Sequence, residues 1–215
     1  EVAHCNNTPC SSAEINSVDT TVDVGQYSAI AIGNDGLPLI SYYDSTNNDL
    51  KVAHCSNIIC SATDAVETID SIGDVGKQTS IAIGIDGRGL ISYYDAANKD
   101  LKVAHCENVS CATATITGVV TNGGIGEWNS ITIGADGQGI ISYYDEFNGE
   151  LNVAHCVNIA CTEATSNVVD SSAVVGIHTA ITIGADGLPL VIYQDVTSGN
   201  LKGLHCSNTA CVPHA

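Results

Sequence analysis

Positive charge is scarce in this chain. Only 6 Lys and Arg stand against 24 Asp and Glu over 215 residues, a net charge of −18. Neutralising phosphates takes clustered Lys and Arg, so composition argues against a nucleic-acid partner and against docking on an anionic membrane surface. The excess of acid favours solubility through self-repulsion. Apolar runs are short: nowhere do the roughly 18 consecutive apolar residues of a membrane-spanning helix occur. Helical periodicity is absent, and so are Gly-x-Ser-x-Gly, His-Glu-x-x-His and a phosphate-binding loop. No cysteine is left unmatched, because all 10 fall into Cys-x4-Cys pairs. The chain starts with Glu and shows no signal-peptide core, so it is expected to be a processed mature chain or an excerpt of a longer one.

What the sequence does contain is a repeat. Leu50-Lys51-Val52-Ala53-His54-Cys55, closed by Cys60, returns at Leu101 to Cys111, Leu151 to Cys161 and Leu201 to Cys211; Glu1 to Cys10 is a fifth copy without the leading Leu. A fixed period of this size marks a repeat architecture. Each period reads as four short strands. The innermost alternates small residues with Ile, as in Ala29 to Gly33, which suits close packing on both faces. An Asp-Gly turn follows (Asp35-Gly36, Asp86-Gly87, Asp136-Gly137, Asp186-Gly187), a strong hairpin signal. The second strand ends in Tyr-Tyr-Asp or its variant, the third carries His-Cys, and a weakly alternating fourth leads to a crossover holding Gly25, Gly76, Gly126 or Gly176.

Four-stranded antiparallel units at this spacing predict an all-β fold, a four-bladed β-propeller. The Ser-Tyr-Tyr-Asp and Asn-x-Asp-Leu-Lys-Val-Ala elements resemble bacterial and metagenomic propeller-type tandem repeats over essentially the whole chain, a resemblance that implies a fold and no particular activity. Neither the sialidase-type Asp-box nor the Trp-Asp dipeptide of WD40 repeats is present. The expected division is one domain over 1–215, with blades near 28–72, 79–121, 129–172 and 179–211. Residues 1–22 are expected to complete the last blade and close the ring, removing its open edge. That arrangement leaves one surplus His-Cys strand, which could serve as an extra edge or pair with a neighbouring subunit.

The pairs Cys5/Cys10, Cys55/Cys60, Cys106/Cys111, Cys156/Cys161 and Cys206/Cys211 are expected to be disulfides, one per repeat, each worth roughly 2 kcal/mol in the chain-entropy picture. Zinc is the competing account. Adjacent strand residues point to opposite faces, however, so His54 and Cys55 would not readily reach one ion, and no metal site is assigned. Disulfides in every repeat indicate an oxidising compartment and an extracellular or cell-surface protein. The repeated His4, His54, His105, His155 and His205 are expected to bond a neighbouring blade; His178 and His214 lie outside the repeat. No cofactor is expected, with calcium at the Asp44, Asp95 and Asp145 loops a minority reading, since Asp and Asn there more often make local turn bonds. Asn6 and Asn108 match the N-glycosylation pattern.

The repeats disagree most just before the inner strand, where one slot holds Tyr27, Gln78, Trp128 and His178 and the slot before it Gln26, Lys77, Glu127 and Ile177. Varied large side chains at one rim make a candidate ligand site near the axis, with Trp128 as a platform for a sugar; unconstrained drift is the alternative. Catalysis needs an acid and a base of different pKa in one pocket, and nearly every candidate residue here is duplicated from repeat to repeat. The sequence is therefore read as non-enzymatic. The leading expectation is an extracellular structural protein that self-associates through its terminal strands into a fibre or surface layer. The alternative is a secreted lectin-like propeller binding glycans.

Overall fold

The computed structural model describes residues 1–121 and 123–212, so His214 lies outside the described residues. Every regular element among them is a strand. An N-terminal hairpin, β1 (Val2–Cys5) with β2 (Ala13–Asn16), precedes four repeated antiparallel sheets. The first contains β3 (Val24–Ile32), β4 (Pro38–Asp44), β5 (Asp49–Cys55) and β6 (Thr63–Asp70). The second contains β7 (Val75–Ile83), β8 (Gly89–Asp95), β9 (Asp100–Cys106) and β10 (Ala114–Val120). The third contains β11 (Ile125–Ile133), β12 (Gly139–Asp145), β13 (Glu150–Cys156) and β14 (Ala164–Asp170). The last has three strands, β15 (Val175–Ile183), β16 (Pro189–Asp195) and β17 (Asn200–His205).

The turns form as their residues require. In the first repeat Gly36 sits at φ +80, and Asp35 Oδ1 accepts the Leu37 N–H at 3.0 Å, so the Asp side chain closes the turn that the Gly backbone permits. The first strands of successive sheets, β3, β7, β11 and β15, lie side by side. This closeness depends on glycine. Gly76, at φ +96, would place a Cβ 2.6 Å from the Leu50 Cα of the preceding sheet, and Gly126 and Gly176 are equally tight against Leu101 and Leu151. Gly25 has the same positive φ but nothing within 4 Å, because no complete sheet precedes it.

The core lies between sheets. Leu90, Leu101 and Val103 of the second sheet pack on Ile131, Ile141 and Tyr143 of the third, and the same layering recurs on either side. All five disulfides are formed, with Cα–Cα distances of 4.7 to 5.0 Å. Those of the four sheets are buried in these cores, whereas Cys5 and Cys10 are exposed.

Two expectations about the ends are corrected. The N-terminal hairpin does not complete the last sheet: β1 pairs only with β2, and Val2 and Val18 pack beside Ile40 and Tyr42 of the first sheet. The hydrogen-bonded array is thus open, and its two outer faces show it. Leu201 is 76% exposed, while its equivalents Leu50, Leu101 and Leu151 are 0% exposed. Ile30 and Ile32 on the first strand are exposed as well.

Candidate functional site

Three of the four junctions between consecutive units bring three side chains together. A carboxylate from the end of one unit meets a Tyr from the second strand and a Lys from the third strand of the next. Before the first sheet, Asp19 Oδ2 accepts the Tyr42 hydroxyl at 2.6 Å and the Lys51 ammonium at 2.8 Å. Asp70 accepts Tyr93 (2.7 Å) and Lys102 between the first and second sheets, and Asp170 accepts Tyr193 (2.6 Å) and Lys202 before the last. Burial works to raise the Asp19 and Asp170 carboxyls, but their bonds from Lys and Tyr prevail and hold both well below the usual carboxylate range. The tyrosines are pushed up, first by burial and then by the carboxylate they face.

The junction between the second and third sheets departs from this rule. Val120 stands in the carboxylate slot and Asn152 in the Lys slot. Tyr143 remains, but its hydroxyl pairs with Ser166 on β14 of its own sheet. Burial still pushes Tyr143 up, to about 12. Where the ion pair would sit there is a cleft of ≈ 460 Å³ lined by Val120, Ile125, Tyr143, Asp145, Phe147, Asn152 and Ser166, among others.

The first strands carry a second irregularity at the same end of the sheets. In every repeat the pairing of the first and second strands slips twice, as between Ile125 and Glu127 and between Glu127 and Ser130. Tyr27, Gln78, Trp128 and His178 sit inside this bulge, at φ 53, 54, 55 and 53. The sequence reading placed them just ahead of the inner strand; the strand reaches back to Val24 and its equivalents, so they lie within it. Bulky side chains at positive φ are strained, and strain of this kind concentrates at functional sites. The adjacent strands bring three of the four together. The Trp128 N–H donates to Gln78 Oε1, and the Trp128 and His178 rings lie 3.9 Å apart, centroid to centroid, at 58°. Tyr27 instead lies against Tyr43, 6.1 Å away.

Beside Trp128, burial and then the Glu146 charge raise the Glu127 carboxyl, opposed by Lys99. Lys99 Nζ is 3.3 Å from Glu146 Oε2. Burial followed by Glu127 and Glu146 also pushes the Tyr94 hydroxyl up to about 12. The equivalents of Glu127 are Gln26, Lys77 and Ile177, so a carboxyl stands in this slot in one repeat only; carboxyls raised by burial beside a second carboxylate also occur at Asp49 and Asp100.

The remaining sequence candidates have structural partners. His54, His105, His155 and His205 do not reach a neighbouring sheet. Each ring Nε2 bonds the Asp of its own Asp-Gly turn, at 2.9, 2.9, 2.8 and 2.8 Å. Asp44 accepts from the backbone N–H of Thr46 and Asn47 and from the Asn47 side chain, tying its loop together. Asn6 and Asn108 are exposed in the disulfide hairpins. The Asn108 Oδ1 accepts the Ala112 N–H, a bond also made by Asn7, Asn57, Asn158 and Asn208 in their own copies. No helix among the described residues is long and apolar enough to cross a membrane.

Repeated antiparallel sheets, packed face to face through their first strands, define a propeller-like disulfide-bearing repeat protein. No protein-family model and no curated protein sequence matches the chain. Among solved structures it is similar to an exo-β-1,3-galactanase from Phanerochaete chrysosporium holding β-1,3-galactotriose, with a TM-score of 0.63, 11% identity, and coverage of 91% of this chain and 50% of that one. It is also similar to an α-L-arabinanase from Penicillium chrysogenum complexed with arabinobiose (TM-score 0.57, 11% identity, 90% and 70% covered). A third is the leech intramolecular trans-sialidase (TM-score 0.59, 16% identity, 86% and 31% covered). The chain thus spans half the length of the galactanase. These likenesses show the fold. They also correct the reading of the chain as non-enzymatic, because the fold is one that glycoside hydrolases use.

Proposed function

We propose that the chain is an extracellular carbohydrate-binding propeller of four repeats that holds a saccharide at its inner rim. The observation that carries this reading is the Trp128–His178 pair: two rings on neighbouring first strands, both at strained backbone positions, with Gln78 bonded alongside. Aromatic faces next to a few fixed polar groups suit sugars, which present apolar C–H faces and polar edges. Buried disulfides suit an oxidising compartment, and the solved structures of similar fold hold galactotriose or arabinobiose. Binding of the native protein and of Trp128→Ala to a glycan array tests the proposal. Loss of binding in the variant supports it; binding indifferent to the substitution, or none at all, removes it.

End-to-end association is a second reading, supported by the open apolar faces around Leu201 and Ile30. Such a contact would not reproduce an internal junction. Inside the array Ser41 bonds Thr79 and Ser92 bonds Asn129 across buried interfaces at 2.7 and 2.6 Å. The terminal faces offer Ile192 and Ser28 in those slots, and a hydroxyl buried against Ile lacks a partner. Light scattering across a concentration series tests this reading: a mass that rises with concentration supports it, and a constant monomer mass removes it.

A further inference from the structure

We infer that the cleft between the second and third sheets is a second saccharide subsite, taking one neutral sugar unit of a chain whose other end lies at the inner rim. The inference rests on the carbohydrate reading above and extends it to a site that no repeat motif marks.

Three independent observations meet at the cleft. First, the two charged members of the junction are lost together: Val120 replaces Asp and Asn152 replaces Lys. The one carboxylate left in the lining, Asp145, is held by the Asn148 backbone and side-chain amides, and ≈ 460 Å³ of space opens there, against ≈ 290 Å³ beside the Asp19–Tyr42 pair of the first junction. Second, Asn152 is 5% exposed, yet its Nδ2 has no hydrogen-bond partner among the described residues. A buried amide donor left empty costs of the order of 1–3 kcal/mol, and a ligand acceptor would recover that cost. The Tyr143–Ser166 hydroxyl pair beside it has lone pairs to spare and one free proton. Third, Phe147 stands on the loop lining the cleft, 86% exposed, while Val120 and Ile125 supply apolar wall. An aromatic ring, an apolar wall, amide and hydroxyl groups and a carboxylate able to accept a hydroxyl match a pyranose ring and its hydroxyls; an anion would meet the Asp145 carboxylate and no countercharge among Val120, Asn152, Tyr143 and Ser166.

The register places this cleft on the same end of the third sheet as the rim. Ile125 pairs with Asp145 and Glu127 with Tyr144, and Trp128 follows directly. A saccharide chain can therefore run from Trp128, past Glu127, towards Phe147.

The test is a titration of the full chain with galactose, β-1,3-galactotriose, xylotriose and arabinobiose, following the side-chain amide resonances of asparagine by NMR. The expected result is a saturable shift of the Asn152 amide with at least one oligosaccharide. Val120→Asp combined with Asn152→Lys, which rebuilds the ion pair of the other junctions, should weaken that oligosaccharide roughly tenfold, about one well-made hydrogen bond, and leave galactose binding unchanged. Asn152→Ala serves as a second variant should the double substitution fold poorly. An Asn152 amide unmoved by every sugar, or variants that bind oligosaccharides as tightly as the native chain, overturns the inference. Trp128-dependent binding with an unmoved Asn152 amide removes the cleft and leaves the rim; a shifted Asn152 amide with binding indifferent to Trp128→Ala does the reverse.

Discussion

Three junctions of this array are joined by a Tyr–Asp–Lys triad, and the one between the second and third sheets is not. Between complete sheets the fold is the same in both cases: the same glycine lets the first strand approach, and the same leucine is buried. What differs is the use of the space. In the triads a carboxylate is held by two donors, and at the first of them a smaller cleft of ≈ 290 Å³ runs beside Asp19 and Tyr42. At the exceptional junction the Asp–Lys pair is gone, the tyrosine turns to its own sheet, and a cleft lined by Asp145, with an amide donor unpartnered among the described residues, opens beside an exposed phenylalanine. Repetition builds the scaffold, and its interruption marks the place where the scaffold has chemistry left over.

Breaking a filled junction should have the largest effect. Asp70→Ala leaves Lys102, largely buried, and the Tyr93 hydroxyl without their shared acceptor, which should cost about 3 kcal/mol in urea unfolding. Val120→Ala at the exceptional junction should cost only about 1 kcal/mol. Equal losses at the two sites would erase the distinction between them.

Converting one junction into the other sharpens the comparison. Asp70→Val with Lys102→Asn copies the exceptional pair into the junction between the first and second sheets, and it should cost about 1–2 kcal/mol less than Asp70→Val alone, because no ammonium is left with only Asp95, 3.8 Å away, as its partner. Strict additivity in the double-mutant cycle would show that the pair is not coupled.

A smaller effect concerns pH. Asp19 and Asp170 have folded values below their unfolded value of 3.8. Their contribution is therefore fully present above that value and is lost as pH falls through it towards the lower folded value. Unfolding followed between pH 5 and 2 should show stability falling with acid, and Asp170→Asn should flatten that dependence; a variant with the native acid profile would contradict it.

Much of the scaffold is legible in the chain. The Asp-Gly turns, the Cys-x4-Cys pairs and the crossover glycines each announce a local geometry, and they fall where the strands and turns form. The rim slot was legible as well, because Tyr27, Gln78, Trp128 and His178 differ where their neighbours agree. Its strained bulge was not, since no residue type at those positions signals positive φ. The triads were hidden because they cross the repeat boundary: Asp70 ends one unit, while Tyr93 and Lys102 belong to the next. Aligning Asp19, Asp70, Val120 and Asp170 in register is the signal that would have found them, and Val120 would have stood out at once. The His–Asp bonds carry a comparable signal, a constant spacing of 19 residues. The N-terminal hairpin was misplaced because a strand pattern says that a segment pairs, not with which edge.

The central claim is that saccharide binding belongs to the one part of the array where repetition fails. Trp128 is the single tryptophan of the chain, so its fluorescence reports on that place alone. Titration with β-1,3-galactotriose, xylotriose and arabinobiose should change the Trp128 emission saturably for at least one of them, with Asp70→Asn, at a filled junction, leaving the binding curve in place. Emission unchanged by every saccharide, under conditions where the protein is folded, would contradict the account.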